Sequence, residues 1–273
     1  GLCRLHLDSL KPLGLGTDTV NRLFTATART VTGSMTQYEQ KLRVLQQCCE
    51  SGELPFCAAD VQTCIMDARH ASSCPLFSHS KAYHTAYRPA YRVIRKDFAH
   101  YADVFRRIDA LLKSRETVNV AIEGGSGSGK TTLASLIAEA YDCNVFHMDD
   151  FFLPPPRKTA DRLAQPGGNV DHERFAVKVA AGLKSGKSFS YRAYDCKMGG
   201  YKDAVTVTPK ALNIVEGVYS LHPALANMHG LKLFLKTDTD TRLKRIRRRS
   251  GEAMCRRFIE EWIPLEDLYF DAY

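Results

Sequence analysis

The stretch Gly124-Gly125-Ser126-Gly127-Ser128-Gly129-Lys130-Thr131-Thr132 decides how this chain is read. It fits G-x-x-x-x-G-K-[ST], with Gly124 and Gly129 as the fixed glycines, Lys130 as the lysine and Thr131 as the hydroxyl residue. Such a loop turns backbone N–H groups toward phosphate oxygens. The lysine neutralises charge on the outer phosphates, and the hydroxyl helps hold Mg²⁺. The run before it, Val118-Asn119-Val120-Ala121-Ile122, reads as a buried strand. The run after it, Thr132 to Ala138, reads as a helix with one apolar face. Strand, loop and helix in that order imply a bound nucleoside triphosphate, with the reaction still open.

Working outward, the pattern from Thr117 alternates strand and helix, as a parallel sheet does. Asn144 to Met148 reads as a short buried strand that ends in Asp149-Asp150-Phe151-Phe152. A long loop follows, from Leu153 to Val170, with prolines at 154–156 and Pro166-Gly167-Gly168 near its end; loops of this length inside a domain usually serve function. Asp171 and His172 open a helix through Phe175, Val179 and Leu183, with Asp171 a natural N-cap. Ser188 to Tyr191 reads as a strand, Tyr194 to Lys197 as a loop and Ala204 to Val207 as an edge strand. Leu212 to Val215 reads as a core strand ending in Glu216-Gly217, and Leu231 to Leu235 as a further strand. Thr239–Ser250 and Ala253–Trp262 read as helices.

Thr36 to Arg115 reads as helical, with a break at Glu53 to Phe56, a second helix over Ala58–Ala68, a loop around Pro75 and a long helix from Pro89 to Leu112. Its segment Ala82 to Arg92 is rich in Tyr and Arg and reads as amphipathic packing, with a ligand or partner surface as the alternative. Residues 1–35 lack a clear period and are expected to be poorly ordered or non-native, with Met35 as the natural start. The expected organisation is therefore 1–35, a helical region over 36–116 and a P-loop domain over 117–273.

The 273 residues are 44% hydrophobic and 25% charged, a globular composition. No apolar run approaches the roughly 20 residues that span a bilayer, and Gly1 to Val20 has no signal-peptide core. The nine cysteines are irregularly spaced and read as reduced thiols, which suits a cytoplasmic protein. The net charge of +8 admits a nucleic-acid partner, but eight Lys or Arg gather between Arg242 and Arg257 with one acid, Glu252. A basic cluster downstream of a phosphate loop more simply serves nucleotide phosphates, the rival being a solvated helix face. The expectation is no nucleic acid and no membrane, with a homo-oligomer left open.

Phosphoryl transfer to a hydroxyl needs a phosphate cradle, Mg²⁺, a carboxylate facing the acceptor and positive charge on the transferring group. The loop and Lys130 supply the cradle. Thr131 and Glu216 could hold Mg²⁺, Asp149 could deprotonate the acceptor, and Arg242 to Arg249 could close over the phosphates. Asp149 and Glu216 end predicted core strands, at the edge where open α/β sheets bind ligands.

These residues resemble the uridine kinase and phosphoribulokinase group of P-loop kinases. The matching segments are GGSGSGKTT, His147-Met148-Asp149-Asp150-Phe151-Phe152, Asn169-Val170-Asp171-His172, Tyr194-Asp195, Ile214-Val215-Glu216-Gly217, and Asp240-Thr241-Arg242-Leu243 with Arg245. The resemblance implies an α/β P-loop fold, ATP and Mg²⁺ as cofactors, and a small-molecule acceptor. It implies Asp149 as base for the 5′-hydroxyl, Asp171 on the ribose hydroxyls, Tyr194 beside the base, Glu216 at Mg²⁺, and Arg242 and Arg245 at substrate and phosphates. The region before Thr117 is similar to the N-terminal part of bacterial uridine kinase-like proteins.

The chain departs from the group at Cys196, Met198 and Gly199, where nucleoside kinases place an aromatic and a histidine. Asp-Asp-Phe-Phe followed by proline also resembles nicotinamide riboside kinases. The group adds a strand where this chain stops at Tyr273, which implies a shortened carboxyl end and an exposed sheet edge. The expected function is phosphorylation of uridine or cytidine in nucleoside salvage. Nicotinamide riboside or pantothenate are the alternative acceptors, and a P-loop ATPase switch or a nucleic-acid binder are the alternative classes.

Overall fold

A computed structural model describes residues 1–71 and 79–273. The loop expected around Pro75 falls largely on 72–78, outside the described residues. The chain divides into two units, one of residues 1–9 and 23–95, the other of 10–22 and 96–273.

In the smaller unit, strands β1 (Leu2–His6) and β2 (Tyr91–Arg95) pair antiparallel, Leu2 opposite Arg95 and His6 opposite Tyr91. Helices Met35–Glu50, Ala58–Ala71 and Lys81–Tyr87 lie between them in sequence. One expectation is corrected here, and residues 1–35 include β1 and the helix Thr17–Thr30. In that helix Val20, Leu23 and Thr27 are buried at helical spacing, a stripe hidden in a polar-looking run. Ser34 caps the next helix, its hydroxyl accepting from the Gln37 amide at 3.2 Å. The single helix expected from Pro89 to Leu112 is instead β2, a short helix Lys96–His100 and the helix Ala102–Ser114. The β-branched pair Val93-Ile94 suits a strand, and the partner that decides the matter, β1, lies some 90 residues away in sequence.

In the larger unit the central sheet contains β3 (Val118–Glu123), β4 (Cys143–His147), β7 (Leu212–Glu216) and β8 (Leu231–Phe234), all parallel, in the order β4-β7-β3-β8. A separate antiparallel hairpin is made by β5 (Phe189–Asp195) and β6 (Gly200–Val207). Tyr194 and Asp195 thus end a strand, where a loop was expected. All five residues of β7 are buried, and β3 is nearly as apolar, as central parallel strands covered on both faces must be.

One polar row crosses this sheet. Asn144, Asn213 and Asn119 are register partners on β4, β7 and β3. The Asn144 amide donates to Asn213 at 2.9 Å and the Asn213 amide to Asn119 at 3.1 Å. Asn119 in turn donates to the Met228 carbonyl at 3.0 Å. Amides in line, the central Asn213 buried, satisfy one another and penalise any other alignment of the strands. A hydrophobic core lies on one face of β4 and β7, where Phe146 and Val215 pack with Met148, Phe151, Phe175, Val179, Tyr191 and Tyr219.

Candidate active site

The phosphate loop leaves β3 at Glu123 and enters the helix Lys130–Ala140. Gly124, Gly127 and Gly129 have φ of +141°, +80° and +105°, conformations that L side chains rarely adopt. A Cβ on Gly124 would stand 2.5 Å from the Leu235 carbonyl oxygen, and one on Gly125 would stand 2.4 Å from the Arg242 guanidinium. The N-cap is Gly129, and no side chain caps the helix start. Leu133 is the first amide bonded to a helical carbonyl, that of Gly129 at 3.0 Å. The amides before it, of Lys130, Thr131 and Thr132, are therefore left to an anion seated in the loop. Lys130 Nζ spans the loop, donating to Gly124 O at 2.7 Å and Gly125 O at 3.1 Å. Ser128 Oγ is buried in the loop without a hydrogen-bond partner. This arrangement fits a triphosphate.

Four carboxylates bear on Lys130: Glu266, Glu123, Glu216 and Asp149. They hold its charge on, while burial pulls its pKa below the ordinary lysine value. Glu216, at the carboxyl end of β7, is buried. It accepts from the Thr131 hydroxyl at 3.1 Å and lies 2.6 Å from His147 Nδ1. The bond to Glu216 lifts the His147 pKa, with burial opposing. Thr131 and Glu216 offer two hard oxygens side by side. Among the described residues no group of three or more His, Cys, Asp or Glu could hold a metal. That pattern suits Mg²⁺, which takes one or two protein oxygens and keeps water and phosphate for the rest.

Asp149 opens the turn after β4 and keeps an exposed side chain. Protein crowding pushes its carboxyl above the usual range, Glu216 adds to the rise, and Lys130, His147 and Arg249 oppose it. Lys130, Thr131, Glu216 and Asp149 are thus brought together.

The other expected residues stand as follows. Asp171 is buried and caps the helix that begins at His172, accepting from the Arg174 amide at 3.1 Å. Its second oxygen meets Arg157 at 2.6 Å. Tyr194 is buried on β5, edge-on to Tyr201 with centroids 5.4 Å apart. The hairpin turn after it is tied by Asp195, which accepts from the Lys197 and Met198 amides. Arg242 and Arg245, on the helix Thr239–Ser250, lie against the carbonyls of the loop. Arg242 Nε donates to Ser126 O at 2.8 Å, and Arg245 donates to Gly127 O at 3.1 Å and Ser128 O at 3.3 Å.

Three residues of this constellation had no role assigned from the sequence. His147 is held by Glu216, as described. Glu123 accepts from the amides of Gly124 at 2.9 Å, Tyr219 at 3.1 Å and Leu221 at 3.0 Å, and from the Tyr269 hydroxyl at 3.2 Å. Burial nevertheless pushes its carboxyl up to about 7. Glu266, on the last helix Ile263–Ala272, receives the Ser126 amide. An acid ending an apolar strand was the available signal for Glu123. For Glu266 it was an acid on the helical face shared with Tyr269, both of them buried.

No family model matches the chain. Curated uridine kinases of Staphylococcus aureus, from strains JH9 and Newman, are each 27% identical over 174 residues, covering 58% of this chain and 83% of theirs. A solved structure described as a possible uridine kinase from Bacillus stearothermophilus is 20% identical, covers 62% of this chain and 92% of its own, and has a TM-score of 0.46. A kinase assigned to a fructose transport system of Silicibacter sp. TM1040 is 22% identical, covers 59% and 93%, and has a TM-score of 0.47. The phosphate loop on a parallel sheet, with a strand-end glutamate on its threonine, gives the chain a P-loop kinase-type fold, and in sequence it is similar to the uridine kinases.

Proposed function

We propose that this chain transfers the γ-phosphoryl group of ATP to the 5′-hydroxyl of uridine or cytidine. The observation that carries the reading is the convergence on Lys130 of Glu216, bonded to Thr131, and Asp149, in the turn that follows the neighbouring strand. The uridine kinase names of the relatives support the choice of acceptor.

In this reading the loop residues Gly124 to Thr132 hold the triphosphate. Thr131 and Glu216 would hold Mg²⁺, which neutralises phosphate charge when bound. Asp149 accepts the hydroxyl proton. The acceptor oxygen forms its bond to the γ-phosphorus as the bond from that phosphorus to the bridging oxygen breaks, and ADP leaves with the electron pair. A carboxyl lifted above its ordinary range is the stronger base once ionised, which suits Asp149. Lys130 and Arg245 stabilise charge on the transferring group, while Asp171, Tyr194 and Arg242 orient the partners.

A second acceptor class has its own support. The hairpin turn carries Met198, exposed to 76%, and Gly199 at φ +66°, with no ring facing a pyrimidine from these positions. Nicotinamide riboside or pantothenate would undergo the same chemistry. The test is a panel of uridine, cytidine, nicotinamide riboside and pantothenate with MgATP, each product identified by mass. A monophosphate of uridine or cytidine formed fastest supports the first reading. Faster turnover of another acceptor replaces it, and ATP consumption that no acceptor stimulates refutes the kinase reading.

A further inference from the structure

The last helix reaches back to the phosphate loop through a single buried acid. Glu266 is 3% exposed. One of its oxygens accepts from the Ser126 amide at 2.9 Å and from Arg242 Nη2 at 2.9 Å. The other accepts from the Ser126 hydroxyl. Arg242 closes the ring by donating through Nε to Ser126 O at 2.8 Å. Its guanidinium lies so close over Gly125 that a Cβ there would be 2.4 Å away. Amide, hydroxyl and carbonyl of one loop residue are therefore all held by an acid–arginine pair from two other helices.

We propose that Glu266 is a positioning residue for the nucleotide site: it fixes Arg242 and the crest of the loop at Ser126 in the shape that receives the triphosphate. It acts through these two residues and touches no reacting atom. The ring is largely buried and its charges are paired, so removal of one member leaves the other uncompensated in a poorly hydrated site. Removal of both leaves no stranded charge. The pair should therefore behave as one unit in nucleotide binding.

The proposal rests on the nucleotide-site reading above. The experiment is calorimetric titration of the full chain with MgATP, for wild type, Glu266→Gln, Arg242→Gln, the double variant and Glu266→Asp, beside melting curves without nucleotide. The expected result is a Kd raised about 10- to 100-fold in each single variant, with the double variant no weaker than the worse single. Partial recovery is expected in Glu266→Asp, with little change in melting midpoint. If Glu266→Gln does not fold, the double variant carries the comparison: a tenfold weaker Kd supports the proposal, and wild-type affinity overturns it. Wild-type affinity in folded Glu266→Gln, or fully additive losses in the double variant, also overturns it while leaving the nucleotide site intact. Failure of the wild type to bind MgATP overturns both readings.

Discussion

Glu123 sets two large effects against each other, and the balance can be measured. Its carboxyl receives four donors, which favour the ionised form, yet it is 1% exposed, which disfavours it. Burial is the larger effect and brings the group from 4.5 to about 7. The folded chain then holds this proton more tightly than the unfolded chain, so stability from this group is full below pH 4.5. It is lost progressively as the pH rises through 7. A gap of about 2.5 pH units at about 1.36 kcal/mol each is worth about 3 kcal/mol. For a unit of this size that is roughly 6–12 °C in melting temperature. Glu123→Gln cannot ionise and lacks the slope. The assay is a series of melting curves for both proteins from pH 4.5 to 7.5, compared by difference so that other titrating groups cancel. Wild type should lose ground to the variant steadily across this window. A flat difference, or a wild type that gains as the pH rises, would show that the four donors outweigh burial and would refute the reasoning.

Three further outcomes follow from the site. Asp149→Asn should lower turnover of the best acceptor by about 10² or more with MgATP affinity within threefold, read by steady-state kinetics and titration. Asp171→Asn keeps a side-chain oxygen for the Arg174 amide but gives up the carboxylate's ion pairs to Arg157 at 2.6 Å and to Arg174 at 3.5 Å. Acceptor KM should rise tenfold or more, with a smaller loss of stability than in Asp171→Ala, where the lost cap alone costs about 1–2 kcal/mol. An unchanged KM in both would leave Asp171 as a helix cap alone. Gly125→Ala should displace the Arg242 side chain and weaken MgATP about tenfold without unfolding. Gly124→Ala, strained in φ and driven against the Leu235 backbone, should instead lower the melting midpoint by more than 5 °C.

The parallel sheet was legible because its central strands are short, mostly apolar runs, each interrupted by one asparagine, and the loop after the first of them is a motif with a mechanism. Asp149 and Glu216 drew notice because an acid at the end of such a strand has few structural uses. Glu123 carried the same signal but stood one residue before the motif, where the glycines drew the reading. Glu266 was harder, since its partner Ser126 is 140 residues away in sequence and only the folded chain joins them. Local pattern also failed over residues 89–112. Tyr91, Ile94 and Phe98 satisfy a helical period, but pairing with Leu2–His6 converts Tyr91–Arg95 to strand. The arginine-rich helix was read as a lid from its charge alone. Charge does not reveal that Arg242 and Arg245 address carbonyl oxygens of the loop.

The row of asparagines across the sheet bears on how the protein comes into being on the ribosome. β3 and β4 do not pair with one another; β7, made some 65 residues after β4, is the strand inserted between them, with Asn213 bonded to both. Until that insertion the phosphate loop exists without Glu216, its partner 85 positions downstream of Thr131. A growing chain therefore lacks the Thr131–Glu216 pair until β7 is made, and the sheet is completed only by β8, which pairs with β3 later still.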